Sequence, residues 1–266
     1  MSITPQALEG ASILITRPEG RGEELAAGIR GIGGRVAYFP VIRVRLNAAT
    51  DLLSPDGIPL SRYSLAIFVS MPAVQAVAAL LSSERKFPEE LPVAAIGPAT
   101  ARTLESFGIV VRYLPVDAPD SEGLLELLSN VALTDCDVAV FRGQKGRKLL
   151  EQSLADEGAR VHPVECYRRE AIQNPRTDVL SQWLAERTGI LTLTSVEILD
   201  TFLQAMTAEQ RARVYRRPVA VLSERIAMAC RDRGFTGPVA VSEGVEPTAM
   251  LDAITRLHTL RSSQDT

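Results

Sequence analysis

Residues 12–46 read SILITRPEGRGEELAAGIRGIGGRVAYFPVIRVRL. The run SILIT (12–16) is short, apolar and closed by a Thr-Arg-Pro turn, as a strand buried on both faces would be. Residues 22–32 then place apolar side chains at helical spacing, and 35–46 form a long extended segment. Strand, helix and strand in this order make a βαβ unit. The same alternation continues to the end of the chain. Strands are expected over 65–70, 93–97, 110–114, 138–142, 160–169, 190–194, 219–222 and 239–242. Helices are expected over 73–81, 100–107, 122–128, 148–157, 195–205, 226–233 and 248–257, with an amphipathic stretch at 179–186. Such a chain is an α/β protein with parallel sheets.

The chain also repeats itself. With Arg17 laid over Arg142, Leu25 falls on Leu150, Gly33 on Gly158, Arg35 on Arg160, Val36 on Val161 and Ser70 on Ser195. After a single inserted residue, Val93 falls on Val219, Ala101 on Ala227 and Gly108 on Gly234. A register kept over so long a period predicts two similar domains. The extended segments 35–46 and 160–169 occupy equivalent positions in the repeat. If they run side by side, the chain leaves one domain through the first and returns through the second. The expected division is therefore 1–38 with 170–266 as one domain and 46–160 as the other. Residues 39–45 and 161–169 would be linker strands beside a hinged cleft, and the polar tail 261–266 would be frayed.

Composition narrows the class of function. The chain has 266 residues, enough for two cores, with 46% hydrophobic and 23% charged residues, as in soluble globular proteins. Its net charge of -3 argues against a nucleic-acid footprint. Cys136, Cys166 and Cys230 are scattered and odd in number, so neither a disulfide framework nor a Cys-x-x-Cys metal site is expected. The first residues lack a basic segment followed by an apolar one, and no apolar run is long enough for a membrane span. A cytoplasmic protein without membrane or nucleic-acid partners is expected. Among the cations are 26 Arg and 3 Lys; arginine suits bidentate carboxylate recognition, and a coding bias would produce the same imbalance.

In open parallel sheets, ligands bind beyond the carboxyl ends of the strands. Those ends carry Arg17, Ser70, Gly97 with Thr100, Arg142, Ser195 and Ser223, and the loop 119–123 adds Ser121. Each of these serines is a natural helix N-cap, and helix N-termini facing a cleft would also offer N–H groups to anions. Phosphate-binding glycine loops and nucleophile elbows are missing. His162 and His258 belong to no metal cluster and read as structural; Trp183 reads as a packing residue. Tyr167, in VECYRRE (164–170) on the return strand, reads either as a hydrogen-bond or proton donor at the domain junction or as an edge-packing residue.

These residues carry a resemblance. RGQKGRKLLEQSLADEGARVHPVECYRRE (142–170) resembles a stretch of the uroporphyrinogen-III synthases. ILITRPEGRGEELAAGIRGIGG (13–34) is similar to that family's Thr-Arg-Pro opening, AAIGPATARTLESFGI (94–109) to its Gly-x-x-Thr-Ala loop, and DSEGLLELL (120–128) to its Ser-Glu-Gly-Leu-Leu element. The order holds along nearly the whole chain. The resemblance implies two flavodoxin-like domains joined by a two-stranded linker, and a monomer without cofactor or metal. It implies a cyclising lyase that takes hydroxymethylbilane, with transient handover from hydroxymethylbilane synthase, removes water and inverts ring D. The family's cleft tyrosine falls on Tyr167, its loop threonine on Thr100 after Gly97, and its Ser-x-Asn-Ala-Val serine on Ser70. Pro72 stands at that motif's Asn position. Leu222-Ser223-Glu224-Arg225-Ile226 stands where many members have a second threonine loop, leaving Ser223 as the substitute.

Two other readings fit the pattern less well. A two-lobed protein that binds or transfers groups on a sugar, nucleotide or tetrapyrrole would share the architecture. Receiver-like domains would need clustered aspartates at the strand ends, where this chain has Arg17, Ser70, Gly97 and Arg142.

Overall fold

The computed structural model describes residues 6–262 apart from 48–51, 83, 147 and 174, so most of the expected frayed tail lies outside the described residues. The chain divides into two compact units. Unit 1 comprises Met1–Arg43 and Glu170–Thr266, and unit 2 comprises Val44–Arg169.

The strands of unit 1 are β1 (Ser12–Ile15), β2 (Arg35–Tyr38), β8 (Gly189–Leu193), β9 (Val219–Val221) and β10 (Val239–Val241), in the order β10-β9-β8-β1-β2. Every pairing is parallel. Side chains alternate between the two faces, as strand geometry requires. Leu14, Leu191, Leu193, Val219 and Val221 join a core with α6 (Thr177–Ala185), α7 (Val196–Gln204) and α9 (Glu224–Asp232). Ile13, Ile15, Ile190 and Ala220 face α1 (Glu23–Gly31) and α10 (Pro247–Ser262). Two buried threonines stitch the middle of the sheet: Thr16 donates to the Thr192 carbonyl at 2.7 Å, and Thr192 to that of Leu14 at 3.0 Å. Trp183 is buried and donates to the Ser12 carbonyl at 3.1 Å, so it is a packing residue as expected.

Unit 2 is also doubly wound. Its sheet runs β3-β7-β6-β4-β5, from β3 (Ile42–Leu46), β4 (Leu65–Phe68), β5 (Val93–Ala95), β6 (Asp137–Gly143) and β7 (Arg160–Ala171). The β4–β5, β4–β6 and β6–β7 pairings are parallel. Phe68, Ala95 and Phe141 pack with α2 (Met71–Ala78) and α3 (Pro98–Ser106). Ile67, Ala94 and Val140 pack with α4 (Ser121–Leu128) and α5 (Leu149–Asp156).

Three expectations need correction. Residues 110–114 form no strand, only the isolated bridge Ala94–Tyr113; Val110 is 81% exposed and gains nothing by pairing. The extended segment 35–46 is broken at Phe39-Pro40-Val41, where proline has no N–H for a ladder. A further helix, α8 (Ala208–Val214), starts at a Thr207/Gln210 capping box that the periodicity did not reveal.

The repeated glycines have a shared cause. Gly33, Gly108, Gly158 and Gly234 all have positive φ. Each follows a helix in a Schellman turn; for example, Gly33 and Gly34 donate to Arg30 and Ile29, and Gly158 and Ala159 to Ala155 and Leu154.

Candidate active site

In unit 2 the matched register of Phe68, Ala95 and Phe141 brings β4, β5 and β6 to a common end. Ser70 and Gly97 follow directly and sit at the N-cap positions of α2 and α3. Neither helix has a side-chain cap. Pro72 and Pro98 have no N–H, and the Ala73 and Thr100 amides donate to the Ser70 and Gly97 carbonyls. This leaves the Met71 and Ala99 amides for an anion. Thr100 is buried in the first turn of α3. Ser121 is the first residue of α4, whose cap is Asp120, bonded to the Gly123 amide at 2.9 Å.

Tyr167 is placed by a bulge. Arg142 pairs with Glu165, but Gly143 pairs with Tyr167, so the β6–β7 register skips Cys166. Such irregularities re-aim a side chain. Here the tyrosine ring lies over Gly143, where an added Cβ would stand 2.7 Å from Cζ. The phenol is buried, at 6% exposure, and its oxygen accepts a hydrogen bond from Ser70 Oγ at 3.1 Å. Either hydroxyl can donate in such a pair, so the phenol keeps a hydrogen-bond partner whether or not it gives its proton away. The serine therefore serves the tyrosine instead of capping α2.

Arg142 departs from the expected substrate contact. It is buried at 7% exposure and ion-paired with Glu151 on α5. Its Nε donates to the Gly143 carbonyl at 3.0 Å and another nitrogen to that of Gln144 at 3.3 Å. The guanidinium is thus occupied in holding the backbone of the bulge, and Gln144 N–H in turn donates to the Tyr167 carbonyl at 2.8 Å. Gly143 and Glu151 were missed as site residues. Their importance arises from the bulge, which leaves no periodic signal in the sequence.

In unit 1 the corresponding strand ends carry Arg17, Ser195 and Ser223. Ser195 caps α7, accepting from Ile198 N–H at 3.1 Å, while Ser223 stands at the head of α9 without a side-chain cap bond. Arg17 borders a cavity of about 330 Å³ with Tyr38, Pro40, Glu19 and Arg176. Burial pushes its guanidinium pKa down; among the described residues its side chain has no hydrogen-bond or ion-pair partner.

Other titratable groups do structural work. Burial pushes the thiols of Cys166 and Cys230 up to about 12 and about 11, which keeps them protonated and poorly nucleophilic at neutral pH. His162 bridges Asp56 at 3.0 Å and Asp137 at 2.9 Å. Among the described residues no cluster of His, Cys, Asp and Glu could hold a metal ion.

A family model described as uroporphyrinogen-III synthase HemD matches residues 23–252. The chain belongs to the uroporphyrinogen-III synthase family. The uroporphyrinogen-III synthase of Salmonella typhimurium is 30% identical over 246 residues, covering 91% of this chain and 99% of the relative. That of Escherichia coli is 29% identical over 245 residues, with the same coverages. A solved uroporphyrinogen-III synthetase from Helicobacter pylori superposes with a TM-score of 0.62 over 93% of this chain and 99% of its own, at 14% identity; it supports the fold alone. The model match spans Ser70, Gly97, Thr100, Gly143, Tyr167, Ser195 and Ser223, and begins after Arg17. It does not favour the sugar- or nucleotide-binding alternative.

Proposed function

We propose that this chain converts hydroxymethylbilane to uroporphyrinogen III, removing water and inverting ring D as the macrocycle closes. Tyr167 gives its proton to the departing hydroxyl group, which leaves as water. The proton lost from the ring-closing pyrrole restores the phenol. The terminal carbon becomes an electrophilic azafulvene, and ring D attacks it through its substituted carbon to form a spiro intermediate. The bond from that carbon to the bridge shared with ring C then breaks and re-forms at the unsubstituted α-carbon of ring D, which loses its proton. The enzyme's larger task is holding the bilane in the geometry that leads to this path.

The observation that carries this reading is the Ser70–Tyr167 pair, 3.1 Å apart at the strand ends of unit 2. The amides left in the first turns of α2, α3 and α9, those of Met71, Ala99, Glu224 and Arg225, offer N–H groups to some of the eight substrate carboxylates without needing a basic protein. Arg17 is assigned to one carboxylate, with Ser195 and Ser223 at the strand ends of unit 1, and with Thr100 and Ser121 at the starts of α3 and α4 in unit 2. Arg142 is reassigned as a positioning residue, since it fixes the bulge under Tyr167. The two units are read as flavodoxin-like domains, with 39–45 and 161–169 as the linker segments. The enzyme is read as a cytoplasmic monomer that receives its bilane from hydroxymethylbilane synthase and requires neither cofactor nor metal. Among the described residues no helix is long and apolar enough to cross a membrane.

The test is Tyr167→Phe. Turnover should fall about 100-fold, the lower range for loss of a proton donor, with circular dichroism and Tm little changed. Unchanged turnover would remove Tyr167 from the chemistry.

A further inference from the structure

A second cavity opens at the other end of the unit 1 sheet. Pro218 and Pro238, which border it, directly precede β9 and β10, so it lies at their amino ends, away from the strand carboxyl ends that carry Arg17, Ser195 and Ser223. Its volume is about 470 Å³, within the usual range for small-molecule sites. Arg213, Arg216 and Arg217 form the polar part of the lining. Leu257 and Leu260 of α10 supply the apolar wall, and Leu260 is 59% exposed. Among the described residues no acidic side chain lines it.

The arginines differ in how they are held. Arg213 donates to the Leu184 carbonyl at 2.7 Å, and Arg217 to the same carbonyl at 2.6 Å and to that of Arg187 at 3.1 Å. Arg217 also lies over the Trp183 ring, 5.4 Å from its centroid. These bonds cap the carbonyl end of α6 and fix two cations in place, so little ordering cost remains for a ligand. Arg216 is exposed and, among the described residues, has no hydrogen-bond or ion-pair partner. Three positive charges beside an apolar wall, in a protein of net charge -3, form a local field that complements an anion with a hydrocarbon body.

We propose that this cavity binds a small organic acid. Its carboxylate or sulfonate meets Arg213 and Arg216, and its apolar part lies against Leu257, Leu260 and the two prolines. The full-length protein is titrated with anilinonaphthalene sulfonate, and fluorescence is followed. Saturable binding is expected, weakened about ten-fold by either Arg216→Glu or Leu260→Asp, equivalent to about 1.4 kcal/mol. Synthase turnover and Tm should stay unchanged in both variants. Octanoate should displace the dye, and octanol, which lacks the charge, should not. Equal affinity in the wild type and both variants would overturn the proposal, as would displacement by octanol as effective as by octanoate.

Discussion

At the residue scale, Tyr167 depends on its neighbours as much as on its phenol. Gly143 leaves the space that the ring occupies, and Arg142 with Glu151 holds the backbone around it. Gly143→Ala and Arg142→Gln should each lower kcat more than they raise KM, although neither removes the tyrosine. A change confined to KM would instead mark these residues as ordinary binding groups. The positions of Ser70 and Tyr167 stand out in the sequence because Ser70 follows a strand and Tyr167 lies on the return strand, each within a recognisable motif. Arg142 was legible as a residue, but its role was not: an arginine at a strand end looks the same whether it faces a ligand or Glu151. His162 gives a separate prediction. Burial lowers its pKa, but hydrogen bonds to Asp56 and Asp137 more than reverse this and leave it raised. Asp137 itself is held well below the usual carboxylate range, first by Arg160 and then by His162, and so stays charged. A raised folded-state pKa adds stability that is complete below the unfolded value near 6.5 and is lost as pH rises through the folded value. Tm should therefore decline as pH rises above about 6.5, and His162→Gln should flatten that decline. Parallel profiles for the two proteins would exclude the mechanism.

At the element scale, the β6–β7 bulge and the Schellman turns show which local features a sequence announces. Gly33 matches Gly158, and Gly108 matches Gly234, because each helix closes through a left-handed residue. Gly108 is the cleanest case, since nothing lies within 4 Å of an added Cβ. Gly108→Ala should therefore cost only the conformational strain, about 1–2 kcal/mol, measured by urea unfolding with an unchanged m-value. A cost near zero would mean that the turn relaxes into another conformation. The bulge gives no such signal, because it depends on how two distant strands are paired. The break at Pro40 was visible as a proline, but the apolar run around it reads as one extended segment. The stretch 110–114 misled for the opposite reason: its β-branched residues have strand propensity, but Val110 has no partner to bury against.

At the scale of the whole molecule, two doubly wound sheets of mainly parallel strands place several helix starts at strand carboxyl ends. This architecture was readable from alternating elements and a repeated register, since both follow from side-chain periodicity. Which loop residues meet the substrate is chemistry distributed over loops, which periodicity does not encode. The proposed reliance on backbone amides and one buried phenol would leave a sparse catalytic signal in the sequence. The most direct measurement generates hydroxymethylbilane in situ from porphobilinogen and its deaminase, adds this protein, oxidises the products and separates the porphyrin isomers. Isomer III should replace isomer I in proportion to added protein; isomer I alone, from folded protein, would contradict the assignment.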